Sequence, residues 1–148
     1  MLIFGTLGFL ALGNFSTFAA WLSLRRFGSL MVDTPQGQVR PSDPALWLAV
    51  SLIYQLAIEI VYSGQIYSRS EFLPWNWIWL LYLLGLIPLL GAMAELRRFP
   101  SFAVPGGAWF SASAVRAAVL LAMLIHLVMA CSPLALVGLL RFYPIRWM

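Results

Sequence analysis

Charge is the scarcest property of this sequence, with nine basic and five acidic residues among 148, or 9%. Soluble domains carry about 25% charged residues and about 45 to 50% apolar ones, so this chain lacks the polar side chains to cover a water-facing surface. An ordinary soluble enzyme is thereby excluded. Lysine is missing altogether, since all nine basic residues are Arg. This reads as a coding bias, because either residue marks membrane topology equally well. Histidine and cysteine occur once each, at His126 and Cys131. A disulfide scaffold is therefore excluded, and so is a metal site built on paired histidines. Cys131 lies in an apolar run and reads as a small buried hydrophobe. With 11 Gly and 9 Pro the chain is neither collagen-like nor of low complexity. H-E-x-x-H, G-x-S-x-G, C-x-x-C and an acidic cluster to hold Mg²⁺ are all missing, so no enzymatic activity is expected.

What the sequence holds instead is 62% hydrophobic and 15% aromatic residues, with a mean hydropathy of +0.89. The expected class is an all-α polytopic membrane protein: a single membrane domain over residues 1–148, without a soluble domain. A hydrocarbon core of about 30 Å calls for about 20 apolar residues per helix. Four runs qualify, at about 2–24, 46–67, 75–95 and 114–134, the last with a continuation to 140. The first is closed by Arg25 and Arg26. The second follows the Pro41-Ser42-Asp43-Pro44 turn, and the third follows Pro74 and is closed by Arg97 and Arg98. The fourth, taken to Leu140, would measure about 40 Å at about 1.5 Å per residue, so a kink or break is expected at Pro133. Gly85, Pro88 and Gly91 predict a bend in the third run and close approach by a neighbour.

The first run has no basic residue before it and is too long for a signal-peptide core, so it reads as a retained span with a translocated N-terminus. The loops after spans one and three hold Arg25, Arg26, Arg40, Arg97, Arg98 and Arg116, against Arg69, Arg141 and Arg146 on the opposite side. This asymmetry places both longer loops in the cytoplasm and both termini outside, most naturally in a bacterial inner membrane. Trp21, Trp47, Tyr67, Trp75, Trp77, Trp109 and Trp147 fall near the predicted ends, at headgroup depth. The arginines form no stripe on a polar surface, so nucleic acid is not an expected partner. The lipid bilayer and other membrane subunits are. The loops 27–44 and 98–113 are rich in Pro and Gly and show no helical period.

Thirteen of the 14 charged residues sit at or beyond a predicted helix end. Glu59, near the middle of span two, is the exception. A charge at that depth costs about 2.5 to 3.5 kcal/mol, so Glu59 must face protein or water and is a functional-site candidate. Ser51, Gln55, Glu59, Ser63 and Tyr67 recur at spacing four along one helix face, flanked by Tyr62. One reading makes this stripe a set of interhelical hydrogen bonds, and the other makes Glu59 a proton or cation site with Gln55, Ser63 and Tyr62 around it. Asn14 in span one is a second polar interhelical donor and acceptor, and Gly13 and Thr17 form a small pair beside it.

Span four carries Ala114, Ala118, Ala122 and Ala130 at the same spacing, interrupted by His126, as a small-residue helix-packing face. Within LLAMLIHLVMACSP, the A-x-x-x-H of Ala122 and His126 resembles locally the membrane helix of bacterial light-harvesting polypeptides. The likeness covers about a dozen of the 148 residues and does not extend to that family's single-span length or its downstream Trp. It implies a tetrapyrrole, haem or bacteriochlorophyll, with His126 as axial ligand. The bland alternative is a neutral His hydrogen-bonded in a helix contact. Taken together, the expected function is that of a noncatalytic accessory subunit of a multi-subunit membrane complex, of the kind found in bacterial respiratory or photosynthetic assemblies. The alternatives are a small proton- or cation-coupled transporter using Glu59, and tetrapyrrole binding at His126.

Overall fold

A computed structural model describes residues 2–68, 75–103 and 107–142. The side chains of 2–7, 63, 65–68, 75, 76, 78, 79 and 132–142 lie outside that description. The chain is mostly helical. In order it forms α1 (Leu2–Arg25), a hairpin of β1 (Val32–Thr34) and β2 (Gly37–Val39), α2 (Ser42–Ser68), α3 (Trp75–Leu84) and α4 (Leu86–Leu96). A second hairpin of β3 (Phe102–Ala103) and β4 (Trp109–Phe110) then leads into α5 (Ala112–Phe142). The stretches Ser42–Tyr62 and Ala112–Cys131 are long and apolar enough to cross a membrane.

Helix boundaries follow local chemistry. Asp43 lies in the first turn of α2, where a negative charge meets the positive end of the helix dipole. Pro44 sits in that same turn, where its missing N–H would have had no partner anyway. At the start of α5, Ser101 Oγ accepts the Ala112 N–H at 3.1 Å and Ser111 Oγ accepts the Ala114 N–H at 3.3 Å. These hydroxyls satisfy two amides that the helix itself cannot. Arg25 closes α1 at the negative end of its dipole.

Where a bend is expected in the third span the helix is interrupted at Gly85, between α3 and α4, though its φ and ψ, −62° and −17°, stay in the right-handed helical region. Pro88 explains it: its ring crowds the Leu84 carbonyl and supplies no N–H to that oxygen. The close approach is also there. A Cβ on Gly85 would lie 2.8 Å from His126 Cδ2, and one on Gly91 would lie 2.8 Å from the Trp47 indole.

Of the kink or break expected at Pro133, the break is absent. Helix α5 is one element from Ala112 through Phe142, so the chain does not break there. A proline within a helix whose remaining hydrogen bonds are kept need not end it.

The loops 27–44 and 98–113 each add a short antiparallel hairpin to the helices. In the first, Val32 pairs with Val39 and Thr34 with Gly37, which takes φ of +112° at the turn. Thr34 supports that turn twice, its hydroxyl donating to the Gly37 carbonyl at 2.6 Å and accepting the Gln36 N–H at 3.3 Å. In the second, Phe102 pairs with Phe110.

Helix α1 packs against α2 and α5, and the α3–α4 rod packs against α2 and α5 in turn, so the four rods close a ring. Two buried clusters lie along its length. The cluster at the hairpin end gathers Leu24, Val39, Leu48, Leu89, Leu96, Phe99, Phe110 and Val119. Phe110 is its hub, stacked on Phe102 at 4.9 Å and meeting Phe27 edge-on at 5.8 Å. The other cluster contains Leu10, Ile58, Tyr82, Ile125, Met129 and Ala130.

Candidate functional site

The polar stripe of α2 faces α1. Ser51 and Gln55 are 0% and 3% exposed. Gln55 Nε2 donates to Ser51 Oγ at 2.9 Å and to Thr17 Oγ1 at 3.1 Å, while the Thr17 hydroxyl donates to the Gly13 carbonyl at 3.0 Å. One turn further along, Asn14 Nδ2 donates to both oxygens of Glu59, each at 2.7 Å. Two interhelical clamps thus join α1 to α2 at successive turns, and the period-four spacing of Gln55 and Glu59 puts them there. A single amide nitrogen thus bridges both Glu59 oxygens and ties the centre of α2 to α1.

The side chains of Ser63 and Tyr67 lie outside that description. Tyr62 is half-buried and packs against the cluster around Leu10, Ile58 and Tyr82. Two tyrosines that the sequence did not single out belong to this half of the bundle. The Tyr54 hydroxyl donates to the Leu81 carbonyl at 3.0 Å, joining α2 to α3. The Tyr82 ring lies edge-on to the His126 ring with centroids 5.9 Å apart, joining α3 to α5. A tyrosine in mid-span carries a hydroxyl that needs a partner, and this was the signal available in the sequence.

His126 is 3% exposed, and its Nδ1 lies 3.0 Å from the Ala122 carbonyl. A carbonyl only accepts, so Nδ1 carries the proton in the neutral ring and Nε2 holds a lone pair. Among the described residues, Nε2 of His126, the Tyr82 hydroxyl, Asn14 Oδ1 and, at the hairpin end, Arg116 Nε are buried without a hydrogen-bond partner. The Nε2 edge of the ring faces Gly85, where a Cβ would come within 3.0 Å of that nitrogen. A macrocycle ligated at Nε2 would have to occupy the space that α3 and α4 fill, so these residues do not fit a tetrapyrrole. Among the described residues, no group of three or more His, Cys, Asp or Glu is placed to hold a metal ion.

The alanine face of α5 proves uneven. Ala122 and Ala130 are buried at 0% and 2%, Ala118 is half-buried and Ala114 is exposed. A spacing of four drifts by about 40° per step on a helix of 3.6 residues per turn. The row therefore leaves the core by its N-terminal end. Cys131 corrects a second expectation, because it is exposed. It continues the outward row of Leu120, Leu124, Leu127 and Val128, which are also exposed. Comparison with protein-family models, curated proteins and solved structures gives no match to this chain.

Proposed function

We propose that this chain is a noncatalytic accessory subunit of a larger membrane assembly, spanning a bacterial inner membrane four times with both termini outside. The observation that supports this reading is the direction of its polarity. The polar groups within the spans turn toward one another, as in the Asn14–Glu59 and Thr17–Gln55–Ser51 contacts. The outward faces carry Phe15, Ile53 and Ile60 at 69%, 71% and 72% exposure. In the most apolar stretches of α2 and α5 only 28% and 39% is buried, whereas the core helix of a soluble protein would bury most of its length. Such faces suit lipid or the helices of a neighbouring subunit. Taken as one rod, α3 and α4 cover residues 75–96 and reach about 33 Å, long enough for the third crossing.

The test is mild-detergent extraction, native electrophoresis and mass spectrometry of whatever co-migrates. A band containing other membrane proteins in fixed ratio is expected. The chain running alone as a small homo-oligomer overturns the reading.

A second reading, a proton- or cation-coupled transporter, is favoured by one observation: the unpartnered Tyr82 hydroxyl and His126 Nε2 are buried in the half of the bundle that contains Glu59. In proteoliposomes, Glu59→Gln should then abolish proton or cation flux, and unchanged flux removes Glu59 as the coupling group.

A further inference from the structure

Where the alanine row of α5 leaves the core, a cleft of about 490 Å³ opens between α1 and α5. Its walls are small, Ala19 and Ala20 from α1 and Ala114 and Ala118 from α5, and its rim carries Arg26 and Trp109. This volume falls within the range of about 300–1,000 Å³ common for small-molecule sites. Small side chains on both helices keep the cleft open, whereas deeper in the bundle the same two helices close on each other where Ile125 meets Gly13.

The rim has the chemistry of an anion-binding headgroup site. Arg25 is engaged over the Trp21 ring at 4.9 Å, but Arg26 is exposed and makes no ion pair among the described residues. No acidic side chain lines the cleft. Glu95, at the same end of the bundle, lies 3.8 Å from Arg98. Trp109 is 64% exposed beside Arg26, as expected of an indole at headgroup depth. Resting on the membrane reading above, we infer that this cleft holds one anionic glycerophospholipid, its phosphate on the Arg26 guanidinium and an acyl chain along the alanine walls. A free guanidinium forks onto phosphate oxygens, and basic pockets between membrane helices on the cytoplasmic side take anionic headgroups by this chemistry.

The test uses the full chain in mild detergent, titrated with phosphatidylglycerol or phosphatidylcholine, with bound lipid counted by native mass spectrometry. One phosphatidylglycerol should be retained with a preference of about fivefold over phosphatidylcholine, the effect of one arginine on an anionic headgroup. Arg26→Gln should erase the preference, and Ala114→Phe should lower retention of both lipids. Both positions are exposed, so neither change disturbs the buried clusters. The proposal is overturned by equal retention of the two lipids, or by variants that bind like the parent. It is also overturned if inorganic phosphate alone displaces the lipid at equal concentration, or if Ala114→Phe changes the mass of the assembly but not its lipid count. Alkaline extraction of membranes separates the two levels of inference. Release of the chain removes the membrane reading and the lipid site together, whereas a chain that stays with the membrane yet shows no lipid preference removes only the site.

Discussion

The two halves of the bundle are held by different physics. At the hairpin end the buried residues are almost wholly apolar, with Leu24, Leu48, Leu89, Leu96, Phe99 and Phe110 all at 2% exposure or less. In the other half the packing surfaces carry Asn14, Glu59, Tyr54, Tyr82 and His126. The Thr17–Gln55–Ser51 contact marks the boundary between them. The apolar half gains stability from area and close fit, which tolerate small displacements. The polar half gains it from directional bonds, which fix the axial position of α1 against α2 and penalise a slip of even one turn. On the membrane reading proposed above, the directional bonds carry the register, because apolar helix faces in lipid have little to choose between one axial position and another.

Substitutions can break this contrast. The largest effect is expected at Phe110, the aromatic hub of the apolar half. Phe110→Ala should cost about 3–5 kcal/mol, read as lowered thermal stability in detergent by circular dichroism. A loss below about 1 kcal/mol would mean that the hairpin is an ornament on the bundle rather than part of its core.

Next comes Asn14→Leu, which leaves the Glu59 carboxylate without its donor and should cost about 2–3 kcal/mol. The double substitution Asn14→Leu with Glu59→Met should recover most of that loss, because an apolar pair of similar size removes the polar group left unpaired. If the double variant is no better than the single one, the pair is not an isolated clamp, and Glu59 has a further partner whose loss matters.

The smallest effect separates the two close glycine contacts. Gly85→Ala drives a methyl into the buried His126 ring and should cost about 1–3 kcal/mol, whereas Gly91→Ala should cost under about 1 kcal/mol. The reason is freedom to move: Trp47 is 41% exposed and can swing aside, but His126 at 3% cannot. Equal effects at the two sites would show that the Trp47 indole is as firmly held as the His126 ring.

Much of the fold was legible because its signals are local. The end of α1 at Arg25 and the interruption at Gly85 before Pro88 fall where the sequence marks them, whereas α2 begins at Ser42, inside the Pro41–Pro44 stretch read as a turn. The two hairpins were not legible as strands, because three-residue and two-residue pairings are too short for an alternating pattern to emerge. They form where β1 and β2 can set Val39 into the core and where Phe110 can reach the aromatic cluster. At Pro133 the sequence left a kink or a break open, and the helix continues, because one lost hydrogen bond need not end a helix. At the candidate site, Gln55 and Glu59 stood out because polarity in an apolar span is rare. Tyr54 and Tyr82 did not, since a tyrosine in an aromatic-rich helix looks like packing until its hydroxyl is placed.

By itself the sequence determined a mostly helical chain with long apolar stretches, and the rarity of Glu59 and His126. These depend on composition and on spacing along one helix, which the chain carries without reference to its neighbours. Only the tertiary structure decided who meets whom: that Glu59 accepts from Asn14, that His126 lies between Tyr82 and Gly85, and that the alanine row of α5 opens into a cleft beside Arg26. Such pairings join residues far apart in the sequence, 45 positions in the Asn14–Glu59 contact, and their geometry depends on how four rods rotate against one another. No single helix fixes that rotation. It is set where close packing at one end and directional hydrogen bonds at the other are satisfied together.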